Sequence, residues 1–205
     1  MKELIIVMPK ILCVIDCQKD FIDGSLTCNN SKEAIENIVQ YINLHNDDIT
    51  EVRYSLDWHS MNHCSFKLNG GIWPMHCINN TNGAILHEDF FYKLNESKRY
   101  SPNAFNTYYK GTIDSEEEYS AYNAFNLFDQ KFNDFDAFTD EPYEFIFCGI
   151  ATEYCVKETV LEFIKLKNML SNIKLTLLKD CLGYVSKEDH LNTLKELESK
   201  GINIV

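Results

Sequence analysis

Glu144-Phe145-Ile146-Phe147-Cys148-Gly149-Ile150-Ala151-Thr152-Glu153-Tyr154-Cys155-Val156 changes its period halfway along. The first six residues are a short apolar run that stops at a glycine, the pattern of a strand buried on both faces. From Thr152 the apolar positions Val156, Val160, Phe163, Ile164 and Leu166 recur at helical spacing, predicting a helix to about Asn168. A strand feeding a helix through small residues is the building unit of a parallel sheet. It also places Cys155 in the first turn of that helix.

The same alternation extends outward. Lys10 to Asp16 reads as a central strand ending in an acid, followed by a helix over 32–45 with Ser31 as its N-cap. Ile49 to Ser55 is a second strand, Ile173 to Leu178 a later one, Lys187 to Ser199 a charged amphipathic helix and Ile202 to Val205 a closing strand. Residues 60–112 hold Gly, Pro, Asn and aromatics with no sustained period, which predicts a long loop region with short elements. Loops of that length usually carry function. Strands alternating with helices imply a parallel sheet covered on both faces, with its site beyond the strand C-terminal ends. No repeat, low-complexity tract or linker interrupts the 205 residues, so a single domain over 1–205 is expected.

Composition narrows the partners. With 31 acids against 19 Lys and Arg, the formal charge of −12 would repel nucleic-acid phosphates and anionic membrane surfaces. No apolar run approaches the ~20 residues of a membrane span. Leu4 to Met8 is too short for a signal peptide, lacks a small-residue cleavage site and ends at Pro9. A cytoplasmic location is therefore expected, with the eight cysteines as free thiols.

The chemistry gathers in two groups. At a helix N-terminus, unpaired N–H groups and the dipole lower a thiol pKa and can hold an oxyanion, which makes Cys155 a candidate nucleophile. Cys13 and Cys148, inside apolar strands, read as small hydrophobes. A nucleophilic thiol needs a base and a charge partner. Asp16, at a strand end in the same crevice, is a candidate base or a loop-capping acid. Lys110, flanked by aromatics, is a candidate partner or a solvated side chain. In the second group, Asp57 and His59 lie two apart in an extended segment and point the same way, so both can reach one metal ion, with His76 as a third ligand. A carboxylate and imidazole set with open positions suits Zn²⁺, Mn²⁺ or Fe²⁺. A structural zinc built with Cys64 or Cys77 fits the spacing too. His63 can be a fourth ligand, a partner behind the ligands or a plain loop histidine.

Taken together, Val14-Ile15-Asp16-Cys17-Gln18-Lys19-Asp20-Phe21, Asp57-Trp58-His59 with Asn62-His63, Trp73-Pro74-Met75-His76-Cys77, Lys110-Gly111 before Tyr119-Ser120-Ala121, and Gly149 to Val156 resemble the nicotinamidases of the isochorismatase-like cysteine hydrolases. The motifs stand in family order over residues 10–160. The resemblance implies a three-layer α/β/α sandwich with a six-stranded, mainly parallel sheet. It implies a catalytic triad of Asp16, Lys110 and Cys155, metal ligands at Asp57, His59 and His76, and a cis Ile150–Ala151 peptide that turns the Ala151 N–H, with that of Cys155, toward the substrate oxygen. The implied substrate is nicotinamide, its ring held near Phe21 and Trp73 and its pyridine nitrogen on the metal. The implied products are nicotinic acid and ammonia, a step of NAD salvage, with pyrazinamide an acceptable analogue. Hydrolysis of another small amide or carbamoyl compound is the alternative within the superfamily, although such relatives generally lack the metal set. A noncatalytic module that keeps the fold is at odds with an intact triad.

Three features depart from the pattern. His87-Glu88-Asp89-Phe90-Phe91 lacks the proline that often follows the histidine in the family the chain resembles. Residues 1–9 lie outside the resemblance, as an extra strand or a tail. The insertion Ser115-Glu116-Glu117-Glu118 lengthens the stretch before Tyr119 and can reshape the pocket entrance. It opens an acidic segment, 113–141, with nine acids against Lys131 alone, which accounts for −8 of the −12. Tyr119, Tyr122, Phe125, Phe128, Phe132, Phe135 and Phe138 recur there at three or four residues. That predicts a helical or turn-rich flap with its rings on the core, or a contact between subunits of a homo-oligomer.

Overall fold

The computed structural model describes residues 8–95, 97–135, 142–170 and 172–205. Residues 1–7 and the segment 136–141, with Phe138 and three of the nine acids, lie outside the described residues. Six strands, β1 (Lys10–Ile15), β2 (Glu51–Asp57), β3 (Thr107–Lys110), β4 (Tyr143–Gly149), β5 (Ile173–Leu182) and β6 (Asn203–Ile204), form one sheet in the order β3-β2-β1-β4-β5-β6. Every pairing is parallel. Helix α1 (Ser31–Leu44) follows β1, and a single turn, α2 (Asp89–Tyr92), lies in the long loop. α3 (Lys157–Met169) and α4 (Lys187–Ser199) follow β4 and β5.

The alternation of side chains along the strands explains the three layers. In β1, Leu12 and Val14 pack with Ile35, Ile38 and Ile42 of α1. Ile11, Cys13 and Ile15 join Val160 and Phe163 of α3 and Leu197 of α4 in a second core on the other face. The strand needs apolar residues at every position because both of its faces are covered.

The structure differs from the sequence reading at several places. β3 falls inside the stretch read as loop. It has four residues and is the last strand of the sheet on its side, paired there with β2 and bridged on its outer side, among the described residues, by Phe125 alone, so it needs no apolar run. The N-cap of α1 is Asn30, not Ser31, whose hydroxyl instead donates to Cys28 O at 2.9 Å. The predicted helix from Thr152 begins as one wide π-type turn, Thr152–Val156, before α3. β5 runs to Leu182, beyond Leu178, and β6 has only two residues.

The described part of the acidic segment contains no helix, so its aromatic spacing is not a helical stripe. It is a turn-rich flap. Phe125 bridges to Tyr109 and Lys131, and Arg53 Nη1 donates to Phe132 O at 2.6 Å. Phe132 is buried, while Phe125 and Phe128 are exposed. Among the described residues, no helix is long and apolar enough to cross a membrane.

Candidate active site

Four strand ends converge where the strand order reverses about β1. This crevice is where parallel α/β sheets bind ligands. β1 delivers Asp16, β2 Asp57, β3 Lys110, and β4 leads through Gly149 to Cys155. The register pairs Asp57 with Lys110 and Ile15 with Gly149, so the side chains arrive together. Gly149, at φ +119°, admits no side chain because a Cβ would run into Ile15 O.

Asp16, Lys110 and Cys155 are all buried. Lys110 Nζ lies 3.0 Å from Asp16 Oδ2 and 3.5 Å from Cys155 Sγ, and it also pairs with Asp57 Oδ1. Ser55 Oγ donates to Asp16 Oδ1 at 2.6 Å. Burial pushes the Asp16 carboxyl above its ordinary range, and the nearby Lys110 ammonium does not cancel this. Burial opposes charge on Lys110 as well, but the Asp16 and Asp57 carboxylates outweigh it and hold the ammonium well above the usual lysine range. On Asp57 burial acts upward, yet Lys110 and His59 win and keep that carboxyl well below its usual range.

Cys155 departs from the helix-terminus expectation of a lowered thiol. Burial drives its pKa well above the ordinary value, Lys110 opposes, and Asp16 and Asp57 add to the rise. In this setting the proton belongs on sulfur until a base removes it. Beside it the Ile150–Ala151 peptide is cis. The Ile150 N–H donates to Ile15 O and the Thr152 N–H to Gly183 O, both at 2.9 Å. Among the described residues, the Ala151 N–H between them meets no acceptor.

Asp57, His59 and His76 bring ligand atoms within 4.8 Å of one another, and all three are buried. Asp57 Oδ2 lies 3.6 Å from His59 Nε2 and 3.9 Å from His76 Nε2. Each imidazole has its other nitrogen tied to a backbone carbonyl at 2.8 Å, His59 Nδ1 to Gly111 O and His76 Nδ1 to Pro74 O. That arrangement protonates Nδ1 and turns the Nε2 lone pair inward, as a metal-ligating histidine requires. The donor set fits a divalent ion such as zinc. Gly111 completes the fit, since a Cβ there would strike the His59 ring.

His63 stacks on His59 at 4.0 Å between ring centroids, but it is outside the ligand group. Its Nδ1 accepts from Ser65 N–H at 3.2 Å. Cys64 and Cys77 are outside it too, and the Cys77 N–H donates to Asp20 Oδ2 at 2.7 Å.

Both groups border one cleft. Asp57, His76, Ala151 and Cys155 line it together with Phe21 and Trp73. Leu26, Cys28, Tyr119, Tyr154 and Val185 also line it, and sequence reasoning passed over all of them as wall residues. The Trp73 indole donates to Tyr119 OH at 3.0 Å and meets Tyr154 edge-on at 5.0 Å.

Gln18 stands in the 14–21 stretch that carries the resemblance, but no role was read for it. Fully buried, it donates from Nε2 to Asp57 O at 2.7 Å and Ala84 O at 2.8 Å, and its Oε1 accepts the Asp57 N–H at 2.8 Å. The amide thus acts as an extra strand partner for Asp57 where the β1–β2 ladder has ended. The inserted acids are drawn in too. Glu118 Oε2 accepts the Gly111 N–H at 2.9 Å and Glu117 Oε2 the Ser65 hydroxyl at 2.7 Å.

No family model matches the chain. The nicotinamidase of Saccharomyces cerevisiae is 29% identical over 227 residues, spanning 96% of this chain and 99% of that protein. The crystal structure of a Pyrococcus horikoshii pyrazinamidase in complex with zinc is 30% identical, with a TM-score of 0.74 over 96% of this chain and 98% of that one. The yeast nicotinamidase bound to the inhibitor nicotinaldehyde is 28% identical, with a TM-score of 0.77 over 96% and 99%. With this fold, this cleft and likeness along almost its whole length, the chain belongs to the nicotinamidase and isochorismatase-like hydrolase family.

Proposed function

We propose that the protein, acting as a single domain, hydrolyses nicotinamide to nicotinic acid and ammonia through a thioester on Cys155. The observation that carries this reading is that Lys110 Nζ lies within 3.5 Å of both Asp16 and Cys155, and that Cys155 lines one cleft with Asp57 and His76 of the Asp57, His59 and His76 group. The zinc-bound pyrazinamidase and the nicotinaldehyde-bound nicotinamidase among its relatives support zinc and a pyridine carboxamide.

Asp16, with its raised affinity for a proton, takes the thiol proton as sulfur attacks the amide carbon and a C–S bond forms. Lys110, 3.5 Å from Sγ, stabilises the thiolate. The Ala151 and Cys155 N–H groups receive the oxyanion. The tetrahedral species collapses as Asp16 returns the proton to nitrogen, the C–N bond breaks and ammonia leaves. Water then adds to the thioester while Asp16 accepts its proton, and the acid departs as the proton goes back to sulfur. Phe21 and Trp73 flank the ring. Asp57, His59 and His76 would hold the divalent ion, which supplies positive charge and Lewis acidity at that edge of the cleft when bound.

Ammonia release from nicotinamide by zinc-loaded wild type, Cys155→Ala and chelator-treated protein tests the reading. Turnover by wild type alone is expected. Turnover of a different amide with none of nicotinamide would move the assignment to another small-amide hydrolase.

A further inference from the structure

Val185 follows β5 on the loop that leads into α4, and its side chain lines the cleft beside Leu26 and Cys28. At 36% exposure it sits at the mouth rather than in the core. Residues at such a mouth are commonly mobile, but this one is held on both sides of its backbone. Its N–H donates to Glu153 Oε1 at 2.8 Å, and the same oxygen accepts the Ser186 N–H at 2.6 Å. Its carbonyl accepts from Asn29 Nδ2 at 2.8 Å. One residue earlier, Tyr184 and Asn29 exchange both backbone hydrogen bonds, at 2.7 and 2.9 Å. Before that, Gly183 O accepts the Thr152 N–H and hydroxyl, each at 2.9 Å.

The loop is therefore stitched to the segment carrying Leu26 and Cys28 on one side, and to the turn carrying Cys155 on the other. With its backbone held this way, Val185 cannot be carried out of the cleft by a shift of the loop to admit a larger ligand. We propose that Val185, clamped by Glu153 and Asn29, is a specificity-determining residue that limits the size of substituents accepted on the ring of a pyridine carboxamide. The inference rests on the proposed reaction and adds which part of the wall selects among its substrates. The deletion or addition of a methyl-sized group in an apolar pocket changes discrimination by roughly 10- to 200-fold, so the effect is measurable.

The test is kcat/KM of zinc-loaded wild type, Val185→Ala, Val185→Phe and Asn29→Ala with nicotinamide, 5-methylnicotinamide and 6-methylnicotinamide. Dividing each methyl analogue's value by that for nicotinamide within one variant removes any loss of active protein. In Val185→Ala the ratio should rise about tenfold for at least one analogue. Val185→Phe should lower kcat/KM for nicotinamide about tenfold, chiefly through KM. Asn29→Ala should shift the ratio in the same direction as Val185→Ala, because the wall loosens. Ratios in Val185→Ala within threefold of wild type for both analogues overturn the inference, and an unchanged ratio in Asn29→Ala overturns the role of the clamp. A wild type that leaves nicotinamide intact sinks the reaction and this inference together. Turnover of nicotinamide with unchanged ratios sinks the inference alone.

Discussion

Asp57 and Lys110 are register partners at the C-terminal ends of β2 and β3, and their side chains meet in a buried ion pair. One carboxylate thus serves two groups, giving Oδ1 to the lysine and facing His59 and His76 with Oδ2. Asp57→Asn keeps the shape and removes the charge. Zinc binding should weaken, and Lys110 would be left with Asp16 as its sole carboxylate partner, which holds Asp16 ionised and makes it a poorer base. A general base of that kind is worth about 10²–10⁴ in rate, so kcat at saturating zinc should fall by about 10² or more. An unchanged kcat with zinc fully bound would separate the two halves of the site.

The Cys155 thiol is pushed up by burial and by two carboxylates, against Lys110 alone. A group with a raised pKa stays protonated at neutral pH and yields thiolate only as the pH climbs past the ordinary cysteine range. In metal-free protein without substrate, alkylation of Cys155 by iodoacetamide should be slow at pH 7 and still rising above pH of about 9. Mass spectrometry of the Cys155 peptide reads the rate. A plateau below pH 8 would mean that the helix terminus dominates after all.

What the sequence made legible follows from periodicity. Apolar runs and helical spacing located β1, β4 and α4, whose bounds at Lys187–Ser199 match the reading, because both faces of the sheet and one face of each helix must be apolar. A polar residue at a strand end pointed to Asp16 and a cysteine in the first turn of a helix to Cys155, each as a candidate from the residues themselves. β3 escaped because an edge strand of four residues, Thr107–Lys110, needs no such pattern, although its threonine and two tyrosines favour strand. Gln18 and Val185 escaped for another reason. Gln18 bonds to the backbone of Asp57 and the Val185 backbone is held by Glu153 and Asn29, and partners so distant along the chain cannot be read from a local pattern. The raised thiol pKa was illegible because it depends first on burial in the assembled fold and then on carboxylates that come from β1 and β2.

Gln18 offers a sharper test of that last point. Gln18→Leu keeps the volume but leaves the Asp57 N–H and carbonyl and the Ala84 carbonyl buried without their partner. Each such loss costs about 1–3 kcal/mol. Partners that orient a metal ligand contribute about 10–100-fold in affinity, so zinc Kd in competition with a chromogenic chelator should rise by that factor. The carboxylate variant Gln18→Glu retains an acceptor but no donors for the two carbonyls, and it should weaken zinc binding as well. Wild-type zinc affinity in both folded variants would show that β2 holds Asp57 in place unaided.

Phe163 on α3 joins the flap to the core. Its ring lies 4.7 Å from Phe145, 5.1 Å from Phe147 and 5.1 Å from Tyr122, and it is fully buried. Phe163→Ala should cost about 3–5 kcal/mol in urea unfolding, the range for removing a buried phenylalanine ring. Tyr122 loses an edge contact at the same time, three residues after the Tyr119 that anchors Trp73. The substrate wall should therefore loosen before the protein unfolds. KM for nicotinamide should rise in the folded variant while kcat stays within a few fold, because Asp16 and Lys110 are carried by β1 and β3 and Cys155 lies two turns before Phe163, on the turn that precedes α3. A variant that loses stability with KM unchanged would show that the wall stands independently of α3.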